Sequence, residues 1–460
     1  MSSLSTGSTQ GDPSARRDWL ASPATAVAGE LTVPGDKSVS HRTLMLGALA
    51  EGVTEASGFL DSEDCLATLA AMRAMGVRVE RPGPGQVRVH GVGLHGLRPP
   101  AAPLDMGNAG TAMRLSMGLL AGQAFDSVLV GDASLTRRPM ERAAAPLRRM
   151  GAVITTTRGT PPVTVHGVGG SGRRLRGDVH DLAVASAQVK SALLLAGLYA
   201  DAPTTVIEHA VTRDHTERML RAFGAEVFTT VAGPTRTVVL SPPAGLRACR
   251  LEVPGDISSA AFFLVAGSIA ATGSLLVRNV GLNPTRTGIL DILRLMGADL
   301  RILNPREAGG EPVADIEVHA ARLRGIRVPR ELVPLAIDEF PALFIAAACA
   351  EGETLVEGAE ELRVKESDRI ASMEAGLRAL GVPCEARPDG MVLAGSVPGS
   401  RPFGAGEIDS RGDHRIAMSF AVASLAARGT VRIADTANVA TSFPSFLALA
   451  GAIGLDLVPA

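Results

Sequence analysis

Six times along the chain, a run of apolar residues with helical spacing closes on a glycine and gives way to an alternation of apolar and polar positions. The junctions read Met75-Gly76-Val77-Arg78-Val79, Met150-Gly151-Ala152-Val153-Ile154, Phe223-Gly224-Ala225-Glu226-Val227, Met296-Gly297-Ala298-Asp299-Leu300, Leu380-Gly381-Val382-Pro383-Cys384 and Ile453-Gly454-Leu455-Asp456-Leu457. Glycine at such a point suits the left-handed residue that often follows the last turn of a helix. The alternation that follows predicts a strand with one buried face. The intervals between these glycines are nearly constant, only the step from Gly297 to Gly381 being clearly longer, so the pattern is a repeat. Each unit is long enough for about two helices and several strands. Six units divide naturally into two domains of three.

A second self-similarity places the division. Leu31-Thr32-Val33-Pro34-Gly35-Asp36 returns later in the chain as Leu251-Glu252-Val253-Pro254-Gly255-Asp256. That offset equals three repeats. Each Pro-Gly pair is a rigid-then-flexible punctuation mark that serves equally as a crossing between domains or as an ordinary turn.

Composition narrows the function. Apolar residues make up 46% and charged residues 20% of 460, which predicts a sizeable core. A net charge of −2 and 3% aromatics argue against nucleic acid and against a membrane surface as partner. Cys65, Cys249, Cys349 and Cys384 are far apart and form no metal or disulfide pattern, so they read as buried thiols in a reducing compartment. No metal ligand set is expected. The Ser/Thr/Gly-rich start lacks the apolar run of a signal peptide, and the longest apolar stretch, Ala260 to Ala271, is too short to span a bilayer. The expectation is a cytoplasmic protein whose residues 1–27 form a disordered tail.

Charged residues gather where helices are expected to start. Lys37-Ser38 with Arg42, Asn108 to Thr111, Ser186-Ala187-Gln188, Thr212 to His215, Asp338-Glu339 and Asp413-His414-Arg415 each precede or open an apolar helical run. Ser186, Thr212 and Asp413 have a plain reading as helix caps, worth ~1 kcal/mol each. Lys37, Arg42, Arg213 and Arg415 do not, because a cation in a first turn faces the positive end of the helix dipole. An anion lying between cation and helix end would remove that conflict. The pattern therefore predicts a cleft that collects helix N-termini and binds a multiply anionic small molecule. Arg137-Arg138 adds two guanidinium groups on a loop. Arg363 to Arg369 packs five charges into seven residues, and on a helix Lys365, Glu366 and Arg369 would share a face. A carboxylate between two cations suits a proton donor or base; a solvated face is the plainer reading, accepted for Asp368. Gly35-Asp36-Lys37-Ser38 fails as a phosphate-binding P-loop because Asp36 separates Gly from Lys.

Taken together, Pro34 to Ser38 (PGDKS), Gly107 to Arg114 (GNAGTAMR), Arg363 to Arg369 (RVKESDR) and Asp413 to Arg415 (DHR) resemble the EPSP synthase family, from about Ala28 to the C-terminus. The resemblance implies an α/β fold of two similar domains. Each would hold three βαβαββ repeats in the inside-out barrel of the enolpyruvyl transferases, with the active site in the cleft between them. It implies one domain from 28–34 plus 253–460 and a second from 35–252, with hinge crossings near 33–36 and 253–256. The implied reaction transfers the enolpyruvyl group of phosphoenolpyruvate (PEP) to the 5-hydroxyl of shikimate 3-phosphate, through a tetrahedral adduct that loses phosphate. It needs no cofactor.

Carried over residue by residue, Lys37, Ser38, Arg42, Ser186, Ala187, Gln188, Arg213, Asp338 and Lys365 would hold shikimate 3-phosphate. Lys37, Gly110, Arg138, Gln188, Arg369 and Arg415 would hold PEP. Asp338 would take the hydroxyl proton, and Glu366, with a raised pKa, would protonate PEP, with Lys37 beside them. Thr441 stands where many members have Lys, and Glu361 where many have Asn, which looks like the class II branch. Some members of that branch tolerate the inhibitor glyphosate, and tolerance in the family often goes with Ala at the Gly110 position; with Gly here, inhibition competitive with PEP is expected. The protein is expected to be a monomer. Two alternatives stay open: the sister transferase acting on UDP-N-acetylglucosamine, although no Cys lies in Ser134 to Met140, and a non-catalytic anion-binding repeat scaffold.

Overall fold

The computed structural model describes residues 17–397 and 399–460. Within them the six repeated glycines all take positive φ, from 82° at Gly381 to 104° at Gly454. Each is followed within three residues by a strand, from Arg78–Glu80 in the first unit to Asp456–Pro459 in the last. A Cβ would be strained in that conformation, which is why glycine recurs there.

Two helices lie in each unit. They are α1 (Lys37–Leu49) and α2 (Glu63–Ala74), α3 (Gly110–Ala121) and α4 (Glu141–Arg149), and α5 (Ala187–Gly197) and α6 (His215–Ala222). Then follow α7 (Ile257–Ile269) and α8 (Gly288–Leu295), α9 (Phe340–Cys349) and α10 (Arg369–Ala379), and α11 (His414–Ala423) and α12 (Phe446–Ala452). The first helix of a unit is buried almost all round. In α7 and α11 nearly every residue is inaccessible, and an apolar surface on all sides is stable only inside a lobe. The second helix is two-faced, as in α4, where Ala143, Ala144 and Leu147 face inward beneath a polar surface. Six separate sheets wrap these helices. Helices inside and sheets outside give two inside-out α/β domains.

The buried apolar residues form two clusters. One joins Trp19 to Val33 with Ile257 to Leu455. The other runs without interruption from Val39 to Val253. Between them the two Pro-Gly-Asp segments lie side by side. Gly35 and Gly255 form an antiparallel bridge, Asp36 N donates to Pro254 O at 2.7 Å, and Asp256 N donates to Pro34 O at 2.9 Å. The equivalent strands before them have traded places: Ala26–Thr32 pairs with Thr272–Gly281, while Arg250–Glu252 pairs with Ala50–Ser57.

The expected disorder of residues 1–27 needs correction from Trp19 onward; residues 1–16 lie outside the described residues. Trp19–Ser22 is a strand between Val431–Ala434 and Asp456–Pro459, and Trp19 stacks on Phe446 at 5.7 Å between ring centroids. The alternation there was too short to stand out, and the partners that order it lie at the opposite end of the chain. Of the four cysteines, all unpaired, only Cys65 is fully buried; the other three are half-buried. Among the described residues, no helix is long and apolar enough to cross a membrane, and no cluster of His, Cys, Asp and Glu could hold a metal ion.

Candidate active site

The inner helices bring their N-termini to the gap between the lobes. Asp36 caps α1 through Val39 N at 2.9 Å, and Asp256 caps α7 through Ser258 N at 2.9 Å. Ser186 caps α5 through Val189 N at 3.4 Å, and Asp413 caps α11 through Arg415 N at 2.9 Å. So the capping reading holds for Ser186 and Asp413. It fails for Thr212, whose hydroxyl donates to Glu208 at the end of a strand. Side-chain contacts tie the helix ends together. Gln188 donates to Thr111 at 3.0 Å, and Arg415 Nη1 donates to the Asp338 carbonyl at 3.0 Å. The backbone N of Lys37 lies 3.5 Å from Asp256.

On the continuous lobe, Lys37 opens α1 and pairs with Asp64 at 2.9 Å. Burial works against its charge, yet Asp64 and Glu366 outweigh burial and raise its pKa, so Lys37 stays a cation. Burial pushes the Asp64 carboxyl up in spite of Lys37. Ala187 is the first residue of α5, next to the Ser186 cap. Gln188 accepts from Arg114 at 2.7 Å. Gly110 is the first residue of α3, and a Cβ there would stand 3.1 Å from both the Arg138 and Arg114 guanidinium groups. Arg138 is buried and turned inward, while its neighbour Arg137 is exposed. Arg42 differs from expectation. It sits in the second turn of α1, not the first, and donates to Thr216 at 2.6 Å, Ser191 at 2.7 Å and the Ser38 carbonyl at 3.0 Å. Burial lowers its pKa to about 10.

The other lobe supplies Asp338, Glu366 and Asp413. Arg369 is 1% exposed and joins Glu366 at 2.6 Å, Asp413 at 2.8 Å and Asp338 at 3.3 Å. Lys365 lies 3.5 Å from Asp338. Among the bridges that cross the cleft are Arg213 to Asp338 and Arg138 to Glu366 at 3.5 Å. Burial alone would raise the Asp338 pKa, but Lys365, Arg213, Arg415 and Arg369 hold it well below the ordinary carboxylate value. Glu366 is held down in the same way, burial being overcome by Arg369, Arg138, His414 and Lys37. The expected raised pKa of Glu366 is therefore corrected: as these side chains stand it is a carboxylate, because four positive or polarisable neighbours surround it.

The expected helical face of Lys365, Glu366 and Arg369 is also corrected. Glu360–Val364 forms a short 3₁₀ turn, Lys365 to Ser367 are irregular, and α10 begins at Arg369. Asp368 is no idle surface charge: it caps α10 through Ala371 N at 3.0 Å and pairs with Arg363 at 2.7 Å. The three residues are still linked, because Lys365 and Arg369 both reach Asp338 and Arg369 also bonds Glu366. A cavity of about 410 Å³ opens beside them, lined by Ser134, Arg137, Arg138, Lys365, Glu366 and Arg411 among others.

Sequence reasoning missed four contributors. Asp64 lay in an acidic first turn that reads as dipole compensation. Asn108 and Arg114 lay inside the GNAGTAMR stretch but drew no role; Asn108 accepts from Arg138. Arg286 follows an unremarkable Asn-Pro-Thr turn. Thr441 is buried and donates to the Asn438 carbonyl at 2.7 Å. Glu361 pairs across the cleft with Arg142 at 3.0 Å.

Comparison with known proteins is consistent along nearly the whole chain. Residues 21–449 match the sequence model of the family described as EPSP synthase (3-phosphoshikimate 1-carboxyvinyltransferase). The 3-phosphoshikimate 1-carboxyvinyltransferase of Methylococcus capsulatus is 60% identical over 440 residues, covering 95% of this chain and 98% of that one. That of Alkalilimnicola ehrlichii is 59% identical over 436 residues, covering 95% of each. The solved EPSP synthase of Acinetobacter baumannii superposes with a TM-score of 0.85 at 53% identity, covering 96% of this chain and all of that one.

Proposed function

The chain belongs to the EPSP synthase family, and on that premise we propose that it transfers the enolpyruvyl group of PEP to the 5-hydroxyl of shikimate 3-phosphate, releasing phosphate. The observation that carries the mechanism is the pair Asp338 and Glu366, two half-buried carboxylates in one cleft, each ringed by cations. In this reading Lys37, Ser38, Arg42, Ser186, Ala187, Gln188, Arg213, Asp338 and Lys365 hold shikimate 3-phosphate. Arg42 acts from its place beneath Ser38. Lys37, Gly110, Gln188, Arg138, Arg369 and Arg415 hold PEP, whose carboxylate and phosphate suit the forks of the three arginines.

The chemistry then divides between the two acids. Asp338, kept ionised by its cations, accepts the proton of the 5-hydroxyl as that oxygen attacks C2 of PEP. Glu366 delivers a proton to C3, turning the methylene into a methyl group. Reversal of the proton at C3 and breakage of the C2–O bond to phosphate then yield the enol ether. A donor must hold its proton first. The anionic groups of PEP, set against Arg138 and Arg369, would offset the field that now holds Glu366 down and so raise its pKa in the complex. We further propose that the lobes close about the crossings at 33–36 and 253–256, which bound domains of 19–34 plus 253–460 and 35–252. The enzyme works as a monomer in the cytoplasm, and glyphosate competes with PEP.

The test is phosphate release from PEP with each candidate acceptor. Release with shikimate 3-phosphate alone is expected. Release with UDP-N-acetylglucosamine alone would overturn the acceptor, and silence with both would overturn the enzyme.

A further inference from the structure

Beneath the cleft, where the chain crosses between lobes, lies a buried charge that the reaction as described does not use. Arg286 sits between the strand Thr272–Gly281 and α8 and is 3% exposed. One arm of its guanidinium donates to Asp36 at 2.8 Å. The other donates to Asp256 at 3.1 Å and to Ser258 Oγ at 2.7 Å. Ser258 in turn donates to Glu339. Asn283, three residues earlier on the same loop, donates to Asp214 at 2.7 Å and to Glu311 at 2.9 Å. His215 bonds Glu311 at 2.8 Å, and its other ring nitrogen lies 3.5 Å from Arg286.

Three groups of this network are chain neighbours of residues assigned to the substrates. Asp36 caps the helix that opens with Lys37 and Ser38, Glu339 follows Asp338, and Asp214 follows Arg213. Asp36 and Asp214 belong to one lobe, and Asp256, Glu339 and Arg286 to the other. We propose that Arg286 is a positioning residue for the transfer reaction: its fork grips both crossings at once and fixes Lys37 and Ser38 of one lobe in register with Asp338 of the other. A lysine would supply the charge but could not span Asp36 and Asp256 with two fixed arms. Misplacement of reacting groups by about 1 Å can cost ~100-fold in rate.

The inference rests on the proposed transfer activity, so the parent enzyme is assayed first and every variant is read as a ratio to it. A silent parent would sink that activity, whereas an active parent leaves the ratio to judge Arg286 alone. Arg286→Lys keeps the buried positive charge. Its melting temperature should stay near that of the parent, while kcat with both substrates saturating falls at least ~10-fold. A kcat within about twofold of the parent would mean that only charge compensation matters and would overturn the proposal. Asp256→Asn keeps the helix cap but weakens one arm of the grip; it should also lower kcat more than it lowers the melting temperature. If Arg286→Lys does not fold, Asp256→Asn decides by the same twofold criterion.

Discussion

Two buried charge clusters in this molecule have opposite designs. In the continuous lobe, Lys190 is 1% exposed and lies between Glu208 at 2.7 Å and Glu217 at 2.8 Å, both as deeply buried. Facing the cleft, Lys37, Arg138, Arg213, Lys365, Arg369 and Arg415 share Asp64, Asp338, Glu366 and Asp413. The first cluster has more carboxylates than cations and no route to solvent; the second has more cations than carboxylates and opens on a cavity. In the sealed cluster the single cation serves both carboxylates, because a buried ion there has no solvent to turn to. An open cluster can keep a surplus of one sign, and that surplus is what draws an anionic ligand. A cationic surplus open to solvent, more than the density of charge, separates binding site from structural support.

Breaking each cluster should therefore cost different quantities. Glu366→Gln removes the proposed proton donor, and kcat should fall ~10²–10⁴-fold, the usual range for such a group, in steady-state phosphate release. Full activity would end the assignment. Lys190→Met leaves two glutamates buried without their cation and should lower unfolding free energy by ~3–5 kcal/mol in a urea titration, most of the effect being on stability.

The pH dependence of stability sharpens the contrast. Asp338 and Glu366 have pKa values lowered in the fold, so their contribution is present above the unfolded values of about 4 and is lost as pH falls toward the folded ones. Lys190 has a raised pKa, burial being outweighed by Glu217 and Glu208; its contribution is present below about 10.4 and is lost as pH rises through the folded value. Glu366→Gln should flatten the acid limb of a stability–pH curve, and Lys190→Met the alkaline limb. The same flattening in both variants would erase the distinction between the clusters.

Gly110→Ala is a milder probe. Its methyl would meet the Arg138 and Arg114 guanidinium groups at 3.1 Å, a few tenths of an ångström too close, and both can yield. KM for PEP should rise about threefold, on the order of the cost of a small shift in one charged contact. The inhibition constant of glyphosate should rise more, and an unchanged constant would remove Gly110 from the PEP pocket.

The architecture was legible because its signals are local and repeated: a glycine after each helix and a cation or cap before it leave marks within a few residues. Lys37, Arg213 and Arg415 stood out because they oppose a helix dipole. What stayed hidden depends on distant partners. Nothing near Trp19 announces its pairing with Val431–Ala434 and Asp456–Pro459, and Arg286 has meaning only where two crossings three repeats apart come together. The protonation of Glu366 was misjudged because Arg369 beside it is joined by Arg138 and Lys37 from the opposite lobe.

The bridged crossings also bear on the order of synthesis. The lobe between Val39 and Val253 is one unbroken stretch, so every part of its core is available before the rest of the chain is made. The strand Ala26–Thr32 is made earlier, yet it must wait for Thr272–Gly281, and Trp19–Ser22 waits for the final strand, Asp456–Pro459. This early segment is thus among the last to be placed. Its exposed strand edges meanwhile depend on the finished lobe beside them and on quick completion of the remainder to avoid pairing elsewhere.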